Sequence, residues 1–189
     1  MCGVYSILVF DSNTLKSKEL KMSGLVKIAF VFMVVCMAAY AENHIDVAVR
    51  LIKEFEGFRA NAYLCPAGKW TIGYGQVVGK KDVAAVTKEQ AEAWLREEAK
   101  KIDEFLAFEL PSVRMSDTRR GALISFVYNV GRTAFKHSTL KKRLLAGDSD
   151  LEIAEAWRMW KKITVDGKKQ TSKGLVKRRA LEIGAYLKG

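Results

Sequence analysis

The feature that most constrains this chain is a change of period between residues 45 and 75. Ile45, Val49, Ile52 and Phe55 recur at spacings of three and four, the signature of a helix with one apolar face. That pattern stops at Gly57, a residue suited to the left-handed end of a helix. Beyond it, Tyr63, Trp70, Thr71, Ile72 and Tyr74 favour strands, with a turn signal at Pro66-Ala67-Gly68 between two such runs. A helix must therefore discharge directly into a hairpin. Glu56 then sits at the helix exit, Cys65 beside the hairpin turn and Thr71 on the return strand, so that all three can face one cleft. Taken singly, each has an ordinary explanation: a solvated charge, a small buried hydrophobe, a strand residue.

The rest of the composition narrows the class. With 189 residues, 49% of them apolar and 28% charged, the chain can bury a core and is not disordered. Two prolines exclude a long Pro-rich linker, and there is no internal repeat. Net charge is +11; residues 42–189 keep 28 of the 32 basic and 19 of the 21 acidic residues, a net +9. Such a balance suits a polyanionic partner: nucleic acid, an anionic membrane face or an anionic cell wall. Cys2, Cys36 and Cys65 are odd in number and widely spaced, so no disulfide framework and no zinc pair is expected. His44 and His137 are too scattered for a metal site; no metal and no cofactor is expected.

Three segments follow. Residues 1–21 have mixed character and read as a possible upstream extension, with Met22 the alternative start. Residues 22–41 read as an export segment: Lys27, an uncharged apolar run from Ile28, and Ala39-Tyr40-Ala41 as a small-x-small end. The run is short for a stable membrane-spanning helix, which needs roughly 20 apolar residues. Residues 42–189 form the globular domain. There, Gly79-Lys80-Lys81-Asp82 is a polar loop, and Gly73, Gly75 and Gly79 lack the spacing of a phosphate-binding loop. Thr87 and Gln90 form a capping box for a long helix expected to bury Ala91, Trp94, Leu95, Ile102 and Phe105 or Leu106, and to end at Pro111. Ser116 or Asp117 caps a helix through residues 122–129, apolar nearly all round, that Gly131 ends. Ser138 opens a short helix to Gly147; Asp148 or Asp150 caps another containing Trp157 and Trp160, read as core in preference to sugar-stacking residues. Asp166-Gly167 suggests a turn, and Ser172 caps a last helix through Glu182.

The spacing Glu56, eight residues, Cys65, five residues, Thr71, closed by Thr71-Ile72-Gly73-Tyr74-Gly75, resembles the catalytic segment of phage lysozymes of the T4 type, glycoside hydrolase family 24. Residues 122–131 resemble the second segment of that family, and Gly174-Leu175-Val176-Lys177-Arg178-Arg179-Ala180-Leu181-Glu182 its C-terminal signature. The resemblance covers about residues 45–187. It implies an α+β, lysozyme-like fold in which a small lobe with a β-hairpin is joined by a long helix to a mainly helical lobe, with the site between them. It also implies a muramidase acting on peptidoglycan as a monomer, without nucleic acid, to lyse the host. Members of the family can carry an uncleaved signal-anchor that later slips out of the inner membrane, so residues 22–41 are either a cleaved signal or a releasable anchor that takes the domain to the periplasm.

Glycosidic cleavage needs an acid for the leaving oxygen and a group on the other face. By resemblance Glu56 is the acid, Thr71 orients water, and Cys65 occupies the place more often held by Asp. Glu56 would need a raised pKa, which a largely apolar cleft wall would supply. Val77, Tyr128 and Asn129 are implied to contact substrate, with Ser138 a weaker candidate, and Arg178 and Arg179 to brace the last helix. The rival is a membrane-tethered, non-catalytic binding protein for peptidoglycan or nucleic acid. Charge and the apolar segment fit it, but it makes no use of the spacing of Glu56, Cys65 and Thr71.

Overall fold

The computed structural model describes residues 42–65, 68–165 and 167–189. The upstream extension, the export segment and its cleavage motif lie outside the described residues, as do Pro66, Ala67 and Asp166. Among the described residues no helix is long and apolar enough to cross a membrane.

Helix α1 (His44–Glu56) opens on Asn43, whose Oδ1 accepts from the backbone N–H of Ile45 and Asp46 at 3.0 Å each. It closes at Gly57, φ 64°, whose N–H returns to the Lys53 carbonyl. The chain then forms the expected sheet, one strand larger than a hairpin: β1 (Arg59–Leu64), β2 (Trp70–Gly73) and the two-residue β3 (Gln76–Val77), all antiparallel in that order. Tyr63 pairs with Thr71 and Thr71 with Val77. Helix α2 (Lys88–Glu109) follows, with the capping box of Thr87 and Gln90 formed reciprocally.

The helical lobe contains α3 (Asp117–Val130), α4 (Arg132–Lys136), α5 (Thr139–Ala146), α6 (Asp150–Arg158) and α7 (Lys173–Tyr186). Ser116 caps α3, while Asp117 instead accepts from His44. Neither Asp148 nor Asp150 caps α6. Ser149 does, in a second capping box with Glu152, because only Ser149 places Glu at its third helical position. Trp160 falls two residues past the end of α6 and packs edge-on against Phe126 at 5.7 Å. Around Gly167 stands a two-stranded hairpin, β4 (Lys162–Val165) and β5 (Lys168–Thr171), with every described strand residue exposed.

Two cores explain the lobes. Val49, Ile52, Ile72, Tyr74, Val86, Ala91 and Leu95 form the smaller one, under the three-stranded sheet. The larger gathers Val47 and Leu51 of α1, Ala99, Ile102 and Leu106 of α2, and the buried face of α3 with Phe135, Leu140 and Trp157. Helix α2 thus puts its first turns in one core and its remainder in the other, which is the linking helix expected. Helix α1 also serves both, since Val49 and Ile52 point one way and Val47 and Leu51 the other. One expectation fails here. Trp94 is not buried in α2 but 45% exposed, because the core stripe of Ala91, Leu95, Ala99, Ile102 and Leu106 is narrow and Trp94 lies beside it.

Candidate active site

Glu56 is the last residue of α1, so its side chain projects where the backbone leaves the helix. A Cβ placed on Gly75 would stand 3.6 Å from Glu56 Oε2 and 3.4 Å from the Tyr128 hydroxyl. Gly75 has φ 97°, which favours glycine in any case. The bare backbone between β2 and β3 is therefore what the acid and the phenol close upon. Tyr128 donates to the Tyr74 carbonyl at 2.8 Å, tying α3 of the helical lobe to the sheet lobe. Burial, then the nearby Glu56 charge, pushes its phenol well above the usual range.

The immediate partner of Glu56 is a cation: Arg178 Nη1 donates to Glu56 Oε1 at 2.6 Å, from 122 positions along the chain. Arg178 also donates through Nε to Glu182 Oε1 at 3.0 Å and through Nη2 to the Ser125 carbonyl at 3.3 Å. Its guanidinium lies 4.9 Å from the centroid of the Phe55 ring. Glu182 is 0% exposed and accepts from four side chains: Ser125 Oγ at 3.0 Å, Trp157 Nε1 at 3.2 Å, Arg178 Nε at 3.0 Å and Arg179 Nη1 at 2.6 Å. Arg179 also donates to Asn129 Oδ1. Burial lowers the Arg179 guanidinium to about 10, so it remains charged at neutral pH. Two guanidinium groups thus face two carboxylates, and a buried charge cluster survives only when matched and hydrogen-bonded in this way. Arg178 and Arg179 do brace the last helix, as expected, but Arg178 also reaches Glu56.

Cys65 and Thr71 meet at one atom. The Lys69 carbonyl accepts the Cys65 backbone N–H at 2.9 Å and the Thr71 hydroxyl at 3.1 Å. Gly68 N–H in turn donates to the Cys65 carbonyl at 2.8 Å, closing the turn. Thr71 is 4% exposed. With its proton spent on Lys69, its oxygen is left to accept. Strand β2 runs from this pair toward Gly75 and Glu56.

Between the lobes lies a cleft of about 540 Å³, lined by Gly75, Gln76 and Val77 of the sheet, Trp94 and Glu98 of α2, and Tyr128 of α3, among others. Val77 and Tyr128 both line this cleft. Asn129 is engaged by Arg179 and does not line this cleft. Ser138 does not line it either. It caps α5 by accepting from Lys141 N at 3.0 Å, and it borders a separate depression of about 400 Å³ with His137, Trp160 and Lys162. Sequence reasoning missed the link from Arg178 to Glu56 and the buried status of Glu182. The visible signal was two adjacent arginines, Arg178 and Arg179, four and three residues before Glu182 in a helix that also carries buried Ile183 and Tyr186.

Comparison with known proteins agrees with this architecture. The chain is 42% identical over 132 residues to the endolysin of Acyrthosiphon pisum secondary endosymbiont phage 1, covering 70% of this chain and 89% of that one. It is 34% identical over 165 residues to the SAR-endolysin of Bacteriophage PS119, covering 81% and 92%. A solved endolysin from Escherichia coli O157:H7 phage FAHEc1 superposes with a TM-score of 0.67 at 39% identity, over 75% of this chain and 90% of that one. The profile of the phage lysozyme family matches residues 53–182, from the last turn of α1 to the buried Glu182, so the chain belongs to the phage lysozyme family.

Proposed function

We propose that this phage lysozyme hydrolyses the β-1,4 link between N-acetylmuramic acid and N-acetylglucosamine in peptidoglycan, with Glu56 as general acid. The observation that carries the assignment is the convergence of Glu56, Tyr128 and Gly75 at the cleft between the lobes. Arg178 occupies Glu56 Oε1. Oε2, on the Gly75 side, is then the oxygen that carries the proton to the glycosidic oxygen as its bond to the anomeric carbon breaks. Thr71, its hydroxyl proton held by Lys69, accepts from the incoming water and orients it. Cys65, beside the same carbonyl, takes up the water's proton as thiolate in the place where the family more often has a carboxylate. Val77 and Tyr128 contact the glycan within the cleft; Asn129 and Ser138 would meet it only beyond that cleft.

The test is incubation of the protein with purified peptidoglycan, with the products read by mass spectrometry. Hydrolysis leaves new reducing ends on N-acetylmuramic acid. Protein that sediments with peptidoglycan and releases nothing would favour the non-catalytic binding reading.

Several relatives are named SAR-endolysins, which favours a releasable anchor over a cleaved signal for residues 22–41. The domain would then reach the periplasm tethered to the inner membrane and act there as a monomer without a nucleic-acid partner. Full-length protein should fractionate with membranes and become soluble, unshortened, on depolarisation. A mature N-terminus at Glu42 would establish cleavage instead.

A further inference from the structure

We propose that Trp94 is the stacking platform of a saccharide subsite remote from the scissile bond. This deepens the muramidase reading and rests on it.

The domain has four tryptophans, and they differ in what holds them. Trp157 is fully buried and donates to Glu182. Trp160 packs on Phe126, and Trp70 is half-buried in β2. Trp94 leaves almost half its surface in water on the wall of the interlobe cleft. Exposing an indole forgoes the burial that stabilises such side chains, and an aromatic surface lining a groove is a common recognition device.

Trp94 is also placed in a pattern. Residues 94, 98 and 101 lie at i, i+4 and i+7 along α2, one stripe round from the core stripe, and all three line the cleft. Glu98 is ion-paired with Arg132 of α4 at 2.7 Å, both about 40% exposed. Apolar Trp94 thus stands next to an accessible acceptor and an accessible donor. This is the chemistry of an N-acetylhexosamine: a ring face of axial C–H bonds for the indole, and hydroxyl and acetamido groups for the charged pair. Gly75 lines the same cleft and lies beside Glu56, so one cleft joins the neighbourhood of that carboxylate to the indole. A β-1,4 strand cleaved at Glu56 would lay a distant sugar on Trp94.

Two measurements test this. In steady-state kinetics on soluble peptidoglycan strands, Trp94→Ala raises KM for long strands about tenfold, the upper end of what an aromatic contact contributes. The loss falls on KM rather than kcat and shrinks as strands shorten; Trp94→Phe recovers most of it. Phe108→Ala, an exposed aromatic on the same helix outside the cleft, behaves as wild type. In the second measurement, long strands quench the tryptophan emission of full-chain Glu56→Gln, and that change is lost when Trp94→Phe is added. Wild-type KM on long strands for folded Trp94→Ala, or unchanged quenching in the double variant, overturns the subsite. A wild-type protein that cleaves nothing overturns the muramidase reading instead, and the emission titration still decides whether Trp94 meets glycan.

Discussion

The two parts of the candidate site are built in different ways. On the helical side, Glu56 is fixed by a buried, charge-matched network in which Glu182 accepts four hydrogen bonds and Arg178 spans both carboxylates. On the sheet side, Cys65 and Thr71 are fixed by one backbone carbonyl, that of Lys69, in a sheet whose third strand is two residues long. Glu56 is thus oriented by side chains from distant parts of the chain, and Cys65 and Thr71 by local backbone geometry. The difference teaches that damage to the first part should act through stability as well as chemistry, and damage to the second mainly through chemistry.

The largest effect should come from Glu182→Leu. It leaves two buried guanidinium groups without their shared carboxylate, which costs about 3–5 kcal/mol and, at roughly 2–4 °C per kcal/mol, lowers Tm by about 10 °C or more in a thermal melt. A shift of a degree or two would mean that the network does not hold the helical part of the site. Arg178→Met comes next. It strips Glu56 of its cation and Glu182 of one donor, at a cost of about 2 kcal/mol, and should cut the lysis rate about tenfold by misplacing the acid. Equal stability loss with unchanged lysis would separate Arg178 from the site. Tyr128→Phe removes the hydrogen bond from that hydroxyl on α3 to the Tyr74 carbonyl, and should lower stability by about 1 kcal/mol in chemical denaturation.

The smallest effect belongs to the sheet side. Lys53 of α1 and Glu92 of α2 pair at 2.5 Å beneath the small lobe, with side chains about one-third exposed. The hydrogen bond from Lys53 holds the Glu92 carboxyl below the usual carboxylate range, against a smaller opposing effect of burial. Its folded pKa is therefore below its unfolded one. The pair's contribution is present above about pH 4.3 and is lost as pH falls through the depressed folded value. Solvent screening limits it to about 0.5 kcal/mol. Glu92→Gln should lower Tm by a degree or two at neutral pH, and the gap to wild type should close in acid. A gap that widens in acid would reverse the sign assigned here.

Local signals in the sequence carried much of this organisation. Thr87 with Gln90, Gly57, Gly131 and Gly147 mark real helix ends because caps are satisfied within a few residues. The change of period from Ile45 to Tyr74 located the helix end at Glu56 and the sheet after it, because helix exit and hairpin fix one another. What failed was non-local. Trp94 has core-like spacing, yet a helix serving two cores has a narrow buried stripe. Ser149 outcompeted its two aspartate neighbours through Glu152. Strands β4 and β5 were hidden by Lys168, Lys169 and Gln170, which pair without burial. The contact between Arg178 and Glu56 joins residues from opposite ends of the domain, and no local pattern encodes it.

The central claim is that Glu56 supplies the proton. The direct measurement is the rate of new reducing-end formation on purified peptidoglycan by Glu56→Gln and by Glu54→Gln, each checked for folding by circular dichroism. Glu54 is exposed, two positions back and about 200° round the helix. The account predicts that folded Glu56→Gln loses at least about 10²–10⁴-fold in rate, while Glu54→Gln keeps the wild-type rate. Near-wild-type hydrolysis by folded Glu56→Gln would contradict it.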